Sequence, residues 1–298
     1  MRFVLTATAG LALAGVTALP AAADAPQGAY WRVETVYTAT HPHAVGSGYH
    51  LTERSVSTDW TAPDGTGWSG YRELGARPAT AKDEAAWRAD GSPSTWVYRT
   101  EGMKIRLSTR PGKGSLGRAK GRHGWPWGES SVSYQQIQAL PTGTEALRER
   151  LKADVDAWID EAAEEAKVTA PRATKQDWLA YRDGYVAKRA VALLYALPAP
   201  DKVRAAAYQV IKTTKGVTDL GPAKDEKGRS GRKLALPVDD RGKAVRKEQL
   251  LVDTKNMTIL AISTELTADG KPVLGKPGTQ TITAGWTDDK PAVPGTGS

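Results

Sequence analysis

Residues 144–166 read TEALRERLKADVDAWIDEAAEEA, and here the chain changes its hydrophobic period. Leu147, Leu151, Val155, Trp158, Ile159, Ala162 and Ala166 recur at steps of three and four, so on a helix they form one apolar stripe. Glu149, Lys152, Asp156, Asp160 and Glu164 fall outside it. Thr142, Gly143, Thr144 and Glu145 fit a capping box at its start. Trp158 lies mid-stripe, and as a fully buried ring its truncation to alanine would cost about 3–5 kcal/mol. A second helix is predicted from about Lys175 to Leu197, with Trp178, Tyr181, Tyr185, Leu193 and Leu194 apolar and Pro198 and Pro200 ending it. A third runs from about Pro200 to Thr214, with Val203, Ala207, Val210 and Ile211 inward and Gly216 at the stop position.

On both sides of this block the period is two. Trp31, Val33, Thr35 and Tyr37 alternate with Tyr30, Arg32, Glu34 and Val36, the pattern of a half-buried strand. Leu51 to Trp60 and Thr66 to Leu74 are joined by the turn residues Pro63, Asp64 and Gly65. Thr95 to Tyr98 and Lys104 to Thr109 flank Glu101 and Gly102 in the same way. After Gly216, strands are predicted at Ser230 to Leu236, Val245 to Asp253, Met257 to Leu266 and Thr279 to Trp286. Strands, then helices, then strands is an α+β order, without the alternation of a nucleotide-binding parallel sheet. The expected architecture is a curved antiparallel sheet, half-barrel-like, with the three helices on its concave face.

The 298 residues include no Cys, which excludes disulfides, thiolate metal sites and a cysteine nucleophile. Met1 to Ala23 reads as a secretory signal: one charged residue, Arg2, an apolar run from Phe3 to Leu19, and a small-residue ending at Ala21, Ala22 and Ala23. Cleavage before Asp24 is expected, the alternative being retention as an anchor. Residues 24–287 then form one α+β domain, and 288–298, with little to bury, a disordered tail. The net charge of +8 favours anionic surfaces such as phospholipid headgroups or wall polymers over nucleic acid in an extracytoplasmic setting.

Several segments together carry a likeness: Ala29, Tyr30 and Trp31 after the leader; the Trp60 to Trp68 hairpin; Leu193 to Pro200; Arg204 to Tyr208; Gly216 and Val217; Gly228 and Arg229; Leu251 to Asp253. Over about Ala29 to Leu266 the chain resembles a family of actinobacterial extracytoplasmic proteins of unassigned function. Members of that family are often anchored behind a cytoplasmic segment, whereas this sequence starts at its hydrophobic run, which puts an anti-sigma-type role in doubt. At fold level the order of elements is similar to the lipoprotein-carrier-like half-barrels, a likeness of architecture that assigns no function.

Motifs of catalysis are sparse. His41, Pro42 and His43, with His50 or Glu53 as a third ligand, would be needed for a metal, but Pro42 and the following Ala44, Gly46, Ser47 and Gly48 read as a solvated loop. Ser230 and Lys233 spell S-x-x-K in a strand-and-turn setting, where that dyad needs a helix head and companion motifs that are missing. Gly112 to Ser115 lacks the earlier glycine of a phosphate loop. The acidic residues Asp154, Asp156, Asp160, Glu161, Glu164 and Glu165 are spaced as a solvated helix face.

The expected protein is therefore a secreted, non-enzymatic binding domain with no cofactor and no metal, which holds a lipid-like amphiphile or an envelope partner between sheet and helices. Trp31, Val33 and Tyr37 of the first strand, with Trp178, Tyr181 and Tyr185 of the second helix, are the expected lining. Arg110, Lys113, Arg118, Lys120 and Arg122, with Trp125 and Trp127, are expected to touch an anionic membrane surface. The alternatives are a packed structural or sensor module that works by surface contact, and a metal-dependent hydrolase built on His41, His43 and His50.

Overall fold

The computed structural model describes residues 25–100, 103–119, 124–128, 130–169, 174–239, 244–268, 270–272 and 278–295. The expected leader, 1–23, lies outside them. Among the described residues no helix is long and apolar enough to cross a membrane.

β1 (Tyr30–Thr40), β2 (Leu51–Thr61) and β3 (Gly67–Pro78) form the expected antiparallel meander. The β2–β3 turn closes as its residues predict: the Ala62 N–H donates to the Thr66 carbonyl at 2.8 Å, the Asp64 carboxylate accepts from the Thr66 N–H at 2.8 Å, and Gly65 takes φ +84°. A Cβ on Gly65 would stand 2.4 Å from the Gly124 Cα, so two glycine backbones touch there. α1 (Ala81–Ala89), capped by Thr80, leads into the hairpin of β4 (Thr95–Thr100) and β5 (Met103–Ser108). β6 (Ser115–Arg118) pairs with β3, and β7 (Trp125–Trp127) with β8 (Ser130–Val132).

The helical region holds more pieces than the three expected. After α2 (Tyr134–Gln138), α3 (Thr144–Thr169) buries Leu147, Leu151, Val155 and Ile159 completely. Trp158 is only partly buried, edge-on to Tyr185 at 4.7 Å, so the full cost of a buried ring does not apply to it. The second expected helix is divided into α4 (Lys175–Leu179) and α5 (Arg182–Leu193). The division falls where the Tyr181 ring folds over Gly184, whose Cβ, if present, would stand 2.3 Å from it. α6 (Asp201–Lys212) follows Pro200 as predicted.

The second half of the large sheet is β9 (Thr218–Lys224), β10 (Ser230–Ala235), β11 (Ala244–Asp253), β12 (Thr258–Ala268), β13 (Lys271–Pro272) and β14 (Gly278–Thr287). The strand order is β6-β3-β2-β1-β14-β12-β11-β10-β9, with β13 beside β12, and every pairing is antiparallel. The sheet does not close into a barrel, and β14 is the strand that joins its two halves.

One face of this sheet, called the front here, carries Trp31, Ile282, Ile259, Val252, Leu250 and Leu234 into a core shared with α3, α5 and α6. On β2, beyond Leu51 and Thr52 at its start, the buried side chains are instead Val56, Thr58 and Trp60. Trp60 pairs with Arg32, the neighbour of Trp31, so these three point to the back. Part of the expected tail packs there: Pro294 is buried against Gly70, and the Arg72 guanidinium donates to the Gly295 carbonyl at 2.8 Å. A smaller core of Tyr49, Leu51, Trp96 and Leu107 lies under the β4–β5 hairpin.

Candidate functional site

Along the front face of β1 the side chains run Trp31, Val33, Thr35, Tyr37, and they meet Asp59, Ser57 and Ser55 from β2. Trp31 is held by a hydrogen bond from its indole N–H to the Tyr195 carbonyl, 2.9 Å, and by an edge-on contact with Trp286 at 5.7 Å. Two cavities flank it. One, about 610 Å³, is bounded by Trp31, Trp286, Tyr134, Pro198 and Arg204. The other, about 510 Å³, is bounded by Trp31, Val33, Thr35, Asp59, Tyr195 and Gln280. Burial, with Glu248 and Asp59 nearby, raises the Tyr195 phenol above its usual range, so its hydroxyl stays a neutral donor and acceptor.

A third cavity, about 460 Å³, continues along the same strands, lined by Tyr37, His41, Glu53, Ser55, Tyr71 and Glu73 among others. Gly278 at the start of β14 makes room for the Tyr37 hydroxyl, which would stand 2.6 Å from a Cβ there. His41 is not the solvated residue its loop suggested: its ring is hydrogen-bonded to the Tyr98 hydroxyl, packs edge-on to that ring at 4.7 Å and lies 3.7 Å from Glu53. Burial lowers the His41 imidazole below its ordinary value, which favours the neutral ring. Burial and the facing Glu73 raise the Glu53 carboxyl, and burial with Glu53 pushes Tyr98 up to about 12 and raises Tyr37. Several shifted groups around one cavity mark a functional-site candidate. The cluster can accept hydrogen bonds and hold positive charge. Among the described residues no three His, Cys, Asp or Glu side chains are placed to hold a metal ion.

The expected lining residues do not converge. Trp31 and Val33 share a cavity and Tyr37 bounds the next one, but neither cavity is lined by Trp178, Tyr181 or Tyr185; Tyr185 is edge-on to Trp158 and Tyr181, and the Tyr181 hydroxyl donates to the Pro237 carbonyl at 3.1 Å. Of the expected membrane-contact residues, Arg110, Lys113 and Arg118 are exposed, and Arg118 stacks over Trp68 at 5.9 Å. Lys120 and Arg122 lie outside the described residues. Trp125 and Trp127 cannot join that surface, since both are buried in the main core. Ser230 and Lys233 fall three apart on a strand and so point to opposite faces. The acidic face of α3 is engaged in ion pairs, among them Asp156 with Arg182 and Asp160 with Lys175. Glu73 and Tyr71 are members of the third cavity that the sequence did not announce, and so is the contact of Tyr98 with His41; the alternation Glu53, Ser55, Ser57, Asp59 on one side of β2 was the available signal.

No protein-family model and no curated protein matches the chain.

Proposed function

We propose that this chain is an extracytoplasmic binding protein without a catalytic role, which takes one lipid-like amphiphile against the front face of the sheet where the helical core ends. The cavity of about 510 Å³ beside Trp31 and Val33 carries this proposal. It has the size of a small-molecule site, and it pairs an apolar wall with Asp59, Thr35 and Gln280 as polar anchors. In this picture the sheet is a half-barrel, α3, α5 and α6 form the block on its concave face, and the 1–23 segment is a cleaved leader of a member of the actinobacterial family that the sequence resembles. Arg110, Lys113 and Arg118 would meet an anionic envelope surface, and no nucleic acid is involved.

The ligand does not enter between the helices and β10–β12, because Leu147, Leu151, Leu193, Leu194 and Leu234 there have no exposed surface. That same dense packing favours the second reading, a packed module that works by surface contact. The two separate on titration with N-phenyl-1-naphthylamine, a neutral lipid-like fluorophore. Saturable binding with a micromolar or tighter Kd is expected, abolished by Thr35→Trp, which fills the cavity while leaving the melting temperature close to wild type. Absence of saturable binding to the folded protein would leave the packed module.

A further inference from the structure

We infer that the amphiphile this protein takes has an ammonium head group, seated in the 460 Å³ cavity at the His41–Glu53 end of the groove with its chain toward Val33 and Trp31. This rests on the amphiphile reading above and adds to it the charge of the ligand and its direction.

Continuity comes first. Thr35 bounds one cavity and Tyr37 the next, two residues and about 7 Å further along the same face of β1. Gln280, the cross-strand partner of Tyr37, bounds the first cavity, so no strand separates the two spaces. The two spaces therefore follow one another along β1, with Trp31 bounding the first and Glu53 the second.

Charge decides what the polar end takes. The chain as a whole carries a net +8, yet the groove face of β2 and β3 presents Glu53, Asp59 and Glu73. Among the described residues no Lys or Arg makes an ion pair with any of them, and the sole ion-pair partner of Glu53 is His41. Arg54 and Arg72 follow the back face by register, and Arg72 is spent on the carbonyls of Gly112 and Gly295. The cavity lining also includes two basic residues, Arg54 and Arg106, the latter exposed on β5. Tyr37 and Tyr71 add aromatic faces beside the two glutamates, the combination that recognises alkylated ammonium groups. The raised carboxyl of Glu53 is the mark of a half-buried acid lacking a cation, and an ammonium would supply it. A sulfate or phosphate head would meet Glu53 and Glu73 directly.

The test is isothermal titration calorimetry of the full folded chain at low salt with decyltrimethylammonium, decyl sulfate and tetramethylammonium, all below micelle concentration. Decyltrimethylammonium should bind about tenfold tighter than decyl sulfate. Glu53→Gln and Glu73→Gln should each weaken it several-fold while the melting temperature is kept, and Thr35→Trp should weaken the decyl compound alone. Equal affinity for the two decyl compounds, or indifference of the ammonium to both Gln variants, would overturn the ammonium inference and leave the amphiphile reading standing. Glutamate-dependent binding of tetramethylammonium with no gain from the decyl chain would keep the cation site and remove the amphiphile. No binding of any of the three would end both.

Discussion

The two halves of the large sheet use the same face differently. From β14 to β10 the front is a core wall, and Ile282, Leu250, Val252 and Leu234 meet α3, α5 and α6 with essentially no exposure. On β1 the change falls between Val33, which packs on that core, and Thr35 and Tyr37, which bound cavities. On β2 and β3 the front carries Glu53, Ser55, Asp59, Tyr71 and Glu73, and apart from Leu51 and Ala76 in the smaller core burial has moved to the back. Stability and ligand access are thus assigned to opposite ends of one continuous sheet. A wall that must stay solvated in the free protein cannot also be the main source of folding free energy.

The sharpest way to break this contrast is a matched pair of truncations. Leu151→Ala in the covered half should cost about 2–5 kcal/mol in denaturant unfolding. Ser57→Ala in the open half should stay within about 0.5 kcal/mol. Comparable losses at the two sites would mean that the open half is as tightly packed as the other. Next in size is Gly65→Val, where the left-handed backbone and the 2.4 Å approach to Gly124 should cost roughly 1–3 kcal/mol, read as a fall in melting temperature. Arg72→Ala should cost about 1 kcal/mol by freeing the 291–295 segment from the back face, and limited proteolysis should then trim the C-terminus faster. An unchanged digestion rate would show that the packing of Val293 and Pro294 holds it without this bond.

The smallest effect is on pH dependence. Because the folded imidazole of His41 lies below its ordinary 6.5, the unfolded chain takes up this proton first as pH falls. Its contribution to stability is present above pH 6.5 and is lost as pH falls through the lowered folded value. Glu53 works in the other sense: its raised carboxyl makes the folded state take up the proton first, so acidification relieves a cost. Melting curves of His41→Gln should therefore lose the decline below pH 6.5 that wild type shows. A parallel decline in the variant would place its origin elsewhere.

Much of the fold was legible because period is a local property. The stripe Leu147, Leu151, Val155, Ile159 and the alternation from Trp31 to Tyr37 each declare an element and its apolar side. Short or interrupted strands declare little, which is why β6, β7 and β8 escaped, as did β9 with Gly221 and Pro222 inside it. The break before α5 was hidden because it depends on Tyr181 folding over Gly184, three residues on. The site was less legible still. Whether Trp60 shares a face with Trp31 depends on the pairing of Arg32 with Trp60, a fact of register between strands that neither strand contains. His41 looked solvated because its partners Tyr98 and Glu53 arrive from other strands.

The position of β14 has a consequence in time. Translation delivers the chain at about 5–20 residues per second, amino end first. β1 and β12 are both made before the strand that lies between them, and until Gly278–Thr287 emerges each has an open edge with unpaired amides. Two half-sheets must therefore wait for Gly278–Thr287 to be joined. A chain cut short after β12 would carry two adhesive edges in place of a seam, the form most prone to pair with its own copies.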